Sequence, residues 1–350
     1  AYYLADYHGS VVGPSVNFIN NISLSLISMF GAILFLSQRI TIADLSTFIL
    51  YSRKFSGPIN ETANIISEIQ SATSAARRIF LILDLPTEKQ ISDRTSSPLL
   101  CQSGQIEFRN VCFGYSKDKR ILTDISSYIP SGKKIAIVGP TGSGKTTFIN
   151  LLMRFYDPDS GEILIDGQNT LHHSLADVRK CFSMVLQDTW LFGGTIRENL
   201  LYGNPDASEG DMVSAARATH IHDYIMSLPD GYDTMIDENG SNISKGQKQL
   251  INIARAMLVA APIIILDEAT SNVDSLTEAR ISDAISTLIA GKTSIIIAHR
   301  LSTIQNADCI FVIKDGRIIE SGSHAELTGK RDGFYARLYK SQFEKQLRSG

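Results

Sequence analysis

Nine consecutive residues, Gly139, Pro140, Thr141, Gly142, Ser143, Gly144, Lys145, Thr146 and Thr147, carry the strongest chemical signal in the chain. They fit the pattern G-x-x-x-x-G-K-[ST] in a suitable setting. The apolar run Ile135-Ala136-Ile137-Val138 reads as a buried strand just before it, and residues 147–155 read as a helix after it. Glycines there let the backbone curl until successive N–H groups face one point, where the opening helix turn adds the positive end of its dipole. Such a point suits phosphate oxygens. Lys145 then reaches the β- and γ-phosphates of a nucleoside triphosphate, and the Thr146 hydroxyl holds Mg²⁺. A glycine-rich turn joining strand to helix is the alternative that the motif alone leaves open.

A second group stands at Ile263-Ile264-Ile265-Leu266, an apolar run that ends in Asp267 and Glu268. In a nucleotide-binding sheet this places two carboxylates at the carboxyl end of a strand, where ligands of open α/β sheets gather. Asp267 can then join the Mg²⁺ shell while Glu268 accepts a proton from an attacking water. Two acids after a strand can equally well cap the following helix.

The elements that must position these groups alternate in type. Strand patterns fall at residues 106–115, 125–129, 135–138, 162–166, 182–186, 263–266, 293–298 and 310–313. The last of these precedes Lys314-Asp315-Gly316-Arg317, a two-residue hairpin turn signal. Helical stretches at 207–227, 247–259 and 276–289 separate several strands. This order predicts an α/β fold with a mostly parallel sheet and added antiparallel strands near its start.

The front of the chain follows different rules. Residues 11–38 contain no charge, and residues 18–36 are dense in Ile, Leu, Phe and Met, about the length that crosses a bilayer. Asn17, Asn20, Asn21, Ser23, Ser25 and Ser28 suit a helix packed among other helices, and a buried helix of a soluble protein is the competing reading. A second helix pattern starts at Ile42, with a kink expected at Gly57-Pro58, and continues as an amphipathic helix to Leu83. Residues 85–105 lose the periodicity and read as a linker. The expected division is therefore 1–84, linker 85–105 and 106–350.

Composition narrows the classes. A net charge of −3 over 350 residues gives no basic excess for a nucleic-acid partner. Cys101, Cys112, Cys181 and Cys309 match no zinc or redox spacing and read as reduced packing residues. The seven histidines form no metal-ligand pattern.

Taken together, the motifs resemble the ABC transporter superfamily, specifically the exporter type in which a transmembrane domain precedes the nucleotide-binding domain. The resemblance covers residues 104 to about 346 with motifs in the family's order and spacing, and more loosely residues 11–83. Tyr115 in Val111-Cys112-Phe113-Gly114-Tyr115 matches the aromatic that stacks on adenine, and a core tyrosine is its alternative. Gln187 matches the glutamine that contacts Mg²⁺ and water. Ser244-Lys245-Gly246-Gln247 sits where the signature lies, with Lys245 in the place where the commonest family sequence has glycine. Asp274 matches the loop that communicates between sites, and His299 matches the switch histidine at the γ-phosphate. The fold thus implied is a phosphate-loop nucleotide-binding domain with a helical subdomain, behind the last two helices of an all-α membrane domain.

The resemblance also implies a function and its partners. ATP and Mg²⁺ would bind at Gly139 to Thr147, Tyr115 and Asp267, with Glu268, His299 and Gln187 as catalytic groups. Ser244, Gly246, Gln247 and Asp274 would complete the ATP site of a second half-transporter, in a homodimer or heterodimer. The chain would be an N-terminally shortened half-transporter in a membrane, its nucleotide domain cytoplasmic, exporting a drug, lipid or peptide. A soluble ABC-type ATPase acting on nucleic acid or ribosomes shares these motifs, and the uncharged stretch 11–38 argues against it. A regulatory module without turnover is disfavoured by the presence of both Glu268 and His299.

Overall fold

The computed structural model describes residues 2–85, 98–116, 119–186, 189–238, 240, 242–267, 274–297 and 301–342. Gln187, Glu268 and His299, and linker residues 86–97, lie outside them. The chain divides into two compact units, Ala1–Thr87 and Glu88–Gly350.

The first unit is helical. Helix α1 (Tyr2–Leu36) contains Asn17–Leu36, a stretch of 20 residues long and apolar enough to cross a membrane. At 1.5 Å per residue it spans about 30 Å, the thickness of the hydrocarbon core. Ser25 and Ser28 donate to Asn21 O and Leu24 O one turn back, so their hydroxyls need no outside partner. The chain reverses at Gln38, whose φ is +57°, and α2 (Ile42–Leu83) begins with a reciprocal Thr41–Asp44 capping box. Gly31 lets the two helices approach closely, since a Cβ there would stand 2.2 Å from Leu45 Cδ1. Gly57-Pro58 does not interrupt α2. The proline removes one N–H, and the Pro58 carbonyl accepts from the Thr62 hydroxyl at 2.8 Å.

The second unit begins with β1 (Ile106–Phe113), β2 (Leu122–Ile129) and β3 (Lys134–Val138), and then α3 (Lys145–Leu152). There follow β4 (Ser160–Ile165), β5 (Gln168–Asn169), α4 (Leu175–Lys180), β6 (Phe182–Val185), β7 (Gly194–Thr195) and α5 (Ile196–Leu201). Next come α6 (Glu209–Ala218), α7 (His222–Ser227), β8 (Met235–Ile236), α8 (Lys245–Val259), β9 (Ile263–Asp267), α9 (Ser275–Ile289) and β10 (Thr293–Ile297). The unit closes with α10 (Leu301–Gln305), β11 (Cys309–Lys314), β12 (Arg317–Gly322), α11 (His324–Gly329) and α12 (Phe334–Gln342).

Among the described residues, two large sheets and a short β7–β8 pair organise these elements. The larger has the order β12-β11-β3-β10-β9-β6, parallel throughout except for the β12 hairpin strand. Its inner strands β3, β9 and β10 each carry three or four consecutive apolar residues because both of their faces are covered. The smaller sheet, β2-β1-β4-β5, is antiparallel. Helix α3 lies in the core cluster that includes residues of both sheets, and Phe148 stacks on Phe108 with ring centroids 4.3 Å apart. Truncating the fully buried Phe148 to alanine would cost about 3–5 kcal/mol. A second cluster surrounds α8, and a third joins β3 and β11 to the carboxyl-terminal helices through Ile304, Leu327 and Tyr335.

One expected element is divided. The helix pattern at 207–227 breaks into α6 and α7 because His220 takes φ +58°, the left-handed region, while Thr219 ends the first helix. The apolar residues Met212, Ala216, Ile221 and Ile225 on both sides of the break are buried in the α8 cluster. Tertiary packing therefore overrides local helix continuity.

Candidate nucleotide site

The site is built where parallel strands end. β3, β10, β9 and β6 run in one direction and are neighbours in that order, so Val138, Ile297, Asp267 and Val185 finish at one edge of the sheet. From β3 the chain enters the glycine loop and then α3. Gly142 and Gly144 have φ of +77° and +107°, conformations that favour glycine. Gly139 is needed for a different reason: a Cβ there would stand 2.1 Å from the Ile313 carbonyl oxygen.

Gly144 is the N-cap of α3 and supplies no side-chain cap, so the helix's opening N–H groups receive no capping hydrogen bond from it. Lys145 Nζ donates to the carbonyls of Gly139 and Pro140 at 2.9 and 3.0 Å. Burial pushes the Lys145 pKa down while the nearby Asp267 carboxylate opposes it. That influence ties the end of β9 to the loop, although the two lie more than 100 residues apart in sequence. Thr146 is exposed and Thr147 buried. The buried Ser143 Oγ has no hydrogen-bond partner among the described residues.

Tyr115 stands beside this loop. Its hydroxyl lies 3.2 Å from Thr147 Oγ1 and accepts from Asn150 Nδ2 at 3.3 Å. The ring meets Phe113 and Tyr156 edge-on, each with centroids 5.1 Å away, and half of the residue remains exposed. It is therefore no core residue, and its position follows from side chains on β1 and α3 and from Tyr156.

The signature residues form a helix start. Ser244 is the N-cap of α8: its hydroxyl accepts from Gln247 N at 3.3 Å, and Gln247 Oε1 accepts from Ser244 N at 3.0 Å. This reciprocal pair satisfies two amides and is worth about 1 kcal/mol. Gly246 is buried, whereas Lys245 is exposed. Asp274 caps α9 by accepting from Thr277 N at 2.9 Å, a bond that holds its carboxyl below the usual aspartate range. Of the acids that could have capped the helix after β9, Asp274 does so; Asp267 is the last residue of the strand.

Sequence reasoning passed over three supporting groups. Asn150 holds the Tyr115 hydroxyl. The half-buried Arg255 on α8 donates to Asn199 O at 2.8 Å, Asn199 Oδ1 at 3.0 Å and Trp190 O at 3.2 Å, with its guanidinium over the Tyr202 ring. It thereby pins the signature helix to the segment that follows β6. Asp166 accepts from the amides of Gln102, Ser103, Gly104 and Gln105 and from the Ser103 hydroxyl, fastening the chain where it enters the domain. An arginine among the apolar residues Ile253, Ala254, Ala256 and Met257 was the visible signal for the second group.

Glycine loop, uncapped helix start, half-buried lysine and strand-end aspartate define a phosphate-loop nucleotide-binding domain. Residues 122–271 match the family described as ABC transporter. An uncharacterized ABC transporter ATP-binding protein, YfiC of Bacillus subtilis, is 48% identical over 94% of this chain and 54% of its own length. The fatty acid ABC transporter ATP-binding/permease protein of Mycobacterium tuberculosis is 43% identical over 95% of this chain and 52% of its own. The solved structure of a bacterial Atm1-family ABC exporter with ATP bound aligns with a TM-score of 0.71 and 34% identity, covering 97% of this chain and 59% of that one. Residues 122–271 thus form a domain of the ABC transporter family, and exporter-type proteins are similar to nearly the whole of this chain. The chain spans about half the length of the curated relatives it matches.

Proposed function

We propose that the chain is the ATP-hydrolysing part of a membrane exporter that works as a pair of such subunits and moves a lipidic amphiphile. The single observation that carries the ATPase reading is the loop of Gly139 to Thr147. Its glycines hold conformations that favour glycine, and Lys145 rests on the loop's own carbonyls at 2.9 and 3.0 Å. An ammonium held so weakly by neutral carbonyls exchanges them readily for phosphate oxygens of greater charge. The donor set suits Mg²⁺ as well: the exposed Thr146 hydroxyl and the Asp267 carboxylate are hard oxygen ligands, to which Gln187 adds a third. When bound, Mg²⁺ would neutralise charge on the β- and γ-phosphates.

The roles proposed for the chain's own residues follow the family resemblance. Tyr115 offers a ring face to adenine, the α3 amides and Lys145 orient the phosphates, Glu268 takes the proton of the attacking water, and His299 contacts the γ-phosphate. Ser244, Gly246 and Gln247 would open an anion site for the partner's ATP, with Asp274 between the two sites. A cargo of amphiphilic lipid is supported by the names of two kinds of relative, a fatty acid transporter and ATP-dependent lipid A-core flippases. The membrane-length stretch Asn17–Leu36 supports residence in a bilayer, and the family resemblance puts the nucleotide domain in the cytoplasm.

Glu268→Gln tests the catalytic assignment. The amide still hydrogen-bonds water but cannot take its proton, so ATP affinity is expected to persist while turnover falls at least about 10²-fold. Turnover near that of the unaltered chain, measured on the same preparation, refutes the role.

A further inference from the structure

The β11–β12 hairpin lies against the phosphate loop. Gly316 N donates to Ser143 O at 3.2 Å, and Gly316 O accepts from Thr123 N at 2.9 Å. The turn therefore bonds the loop on one side and the start of β2 on the other. Three glycines make this contact possible. A Cβ on Gly316 would stand 2.1 Å from Ile121 O and 3.3 Å from Leu122 Cα. One on Gly144 would stand 2.7 Å from Leu122 Cδ2, and one on Gly139 2.1 Å from Ile313 O. At Gly316 and Gly139 the hairpin is thus packed backbone against backbone, on Ile121 at the entry to β2 and on the phosphate loop, while Gly144 of the loop meets the Leu122 side chain.

A second turn in the same unit separates conformation from contact. The β4–β5 connection is also Asp-Gly, with φ +47° at Asp166 and +76° at Gly167, against +48° at Asp315 and +74° at Gly316. A Cβ on Gly167 meets nothing within 4 Å. Both glycines thus serve the same two-residue turn, but only Gly316 is also pressed against other backbone.

We propose that Gly316 is a positioning residue for the polyphosphate of the nucleotide, acting through Ser143 as the back wall of the loop. The proposal rests on the reading that this loop binds nucleotide. A methyl group on Gly316 must displace either the Ile121 carbonyl or the turn itself. Moving the turn withdraws the N–H from Ser143 O and frees the 143–144 peptide to rotate. Neighbouring N–H groups then lose their aim at phosphate oxygens. The base-stacking face of Tyr115 is untouched, so the defect should fall on the phosphates alone.

The test uses the full chain in detergent, with the affinities of ATP, ADP and adenosine and the thermal midpoint measured for Gly316→Ala, Gly167→Ala and Lys145→Ala. Gly316→Ala should weaken ATP and ADP by about tenfold or more, as for the loss of one hydrogen bond to a charged oxygen, with adenosine affinity unchanged. Gly167→Ala, which carries the same backbone strain, should bind all three as the unaltered chain does while its thermal midpoint falls. If Lys145→Ala weakens ADP binding but Gly316→Ala behaves like Gly167→Ala, the positioning role is refuted and the nucleotide reading stands. If Lys145→Ala leaves ADP affinity unchanged, both fall. Should Gly316→Ala fail to fold, amide exchange on the unaltered chain decides. ADP should raise protection at Gly316 together with residues 139–147, and not at Gly167; no change at Gly316 refutes the proposal.

Discussion

Removing the Tyr115 ring and removing only its hydroxyl should have very different effects. In the structure the hydroxyl is held by two long hydrogen bonds, 3.2 Å to Thr147 Oγ1 and 3.3 Å from Asn150 Nδ2, while the ring is braced edge-on by Phe113 and Tyr156. Half of the residue is open to water. Tyr115→Phe keeps the ring and its two aromatic neighbours, and water replaces the hydroxyl at its partners. A net loss of at most about 0.5 kcal/mol, little more than twofold in affinity, is expected. Tyr115→Ala removes the stacking face, worth about 1–3 kcal/mol, so ATP affinity should fall about 5- to 150-fold. GTP affinity should fall by the same factor, because stacking uses the face of the base and not its hydrogen-bonding edge. Fluorescent-nucleotide titration of the three chains, with ATP and GTP as competitors, reads all of these values. If Tyr115→Phe loses as much as Tyr115→Ala, the hydroxyl contact with Thr147 is what binding requires, and the stacking argument is wrong.

Other outcomes follow from the same geometry. Lys145→Ala and Ser244→Ala homodimers should both be silent, and verified mixed dimers of the two should recover part of the ATPase, since one composite site then holds an intact loop and an intact signature; hydrolysis by a strictly monomeric form would falsify site sharing. Ser244→Ala also breaks the α8 capping box, so its stability should be measured alongside and should fall by about 1 kcal/mol. Asp166→Asn should destabilise the nucleotide domain by about 1.5–3 kcal/mol in urea melts, because a carboxylate that accepts five hydrogen bonds is replaced by a weaker acceptor. Burial raises the Asp166 pKa, but the Ser103, Gln105 and Gln102 donors outweigh it and the net shift is downward from 3.8. Its stabilisation is therefore complete above the ordinary aspartate range and is lost as pH falls through the lower folded value. The Asn variant should not show this acid-limb loss, and identical acid limbs would remove Asp166 from the account. The 350-residue chain should require detergent or lipid, and residues 88–350 alone should stay in solution without it; a dispersed, amphiphile-free intact chain contradicts the membrane reading.

Local rules carried much of this protein. The phosphate loop is legible because a strand, three glycines, Lys145 and a helix must be contiguous for backbone amides to converge, so the whole device sits in one short segment. The capping boxes at Thr41, Ser208, Ser244 and Ser323 are likewise local devices, since a cap and its partner are three residues apart. The apolar runs of β3, β9 and β10 likewise announce strands covered on both faces. Only the folded chain decides what those devices rest on. Gly316 reads as a hairpin turn in sequence, and nothing within it indicates that Ile121 and Ser143 lie against it. Cys101 and Cys181, 80 positions apart, join one core cluster, where the neighbouring Cys101 thiol and burial push the Cys181 thiol far up. The break at His220 sits in what reads as one helix, because burying Met212, Ala216, Ile221 and Ile225 around α8 outweighs unbroken helical propensity. Contacts within a turn or a cap are set by chemistry a few residues long, whereas the walls of the site are set by which strands become neighbours. That order is a property of the whole sheet and is written in no single segment.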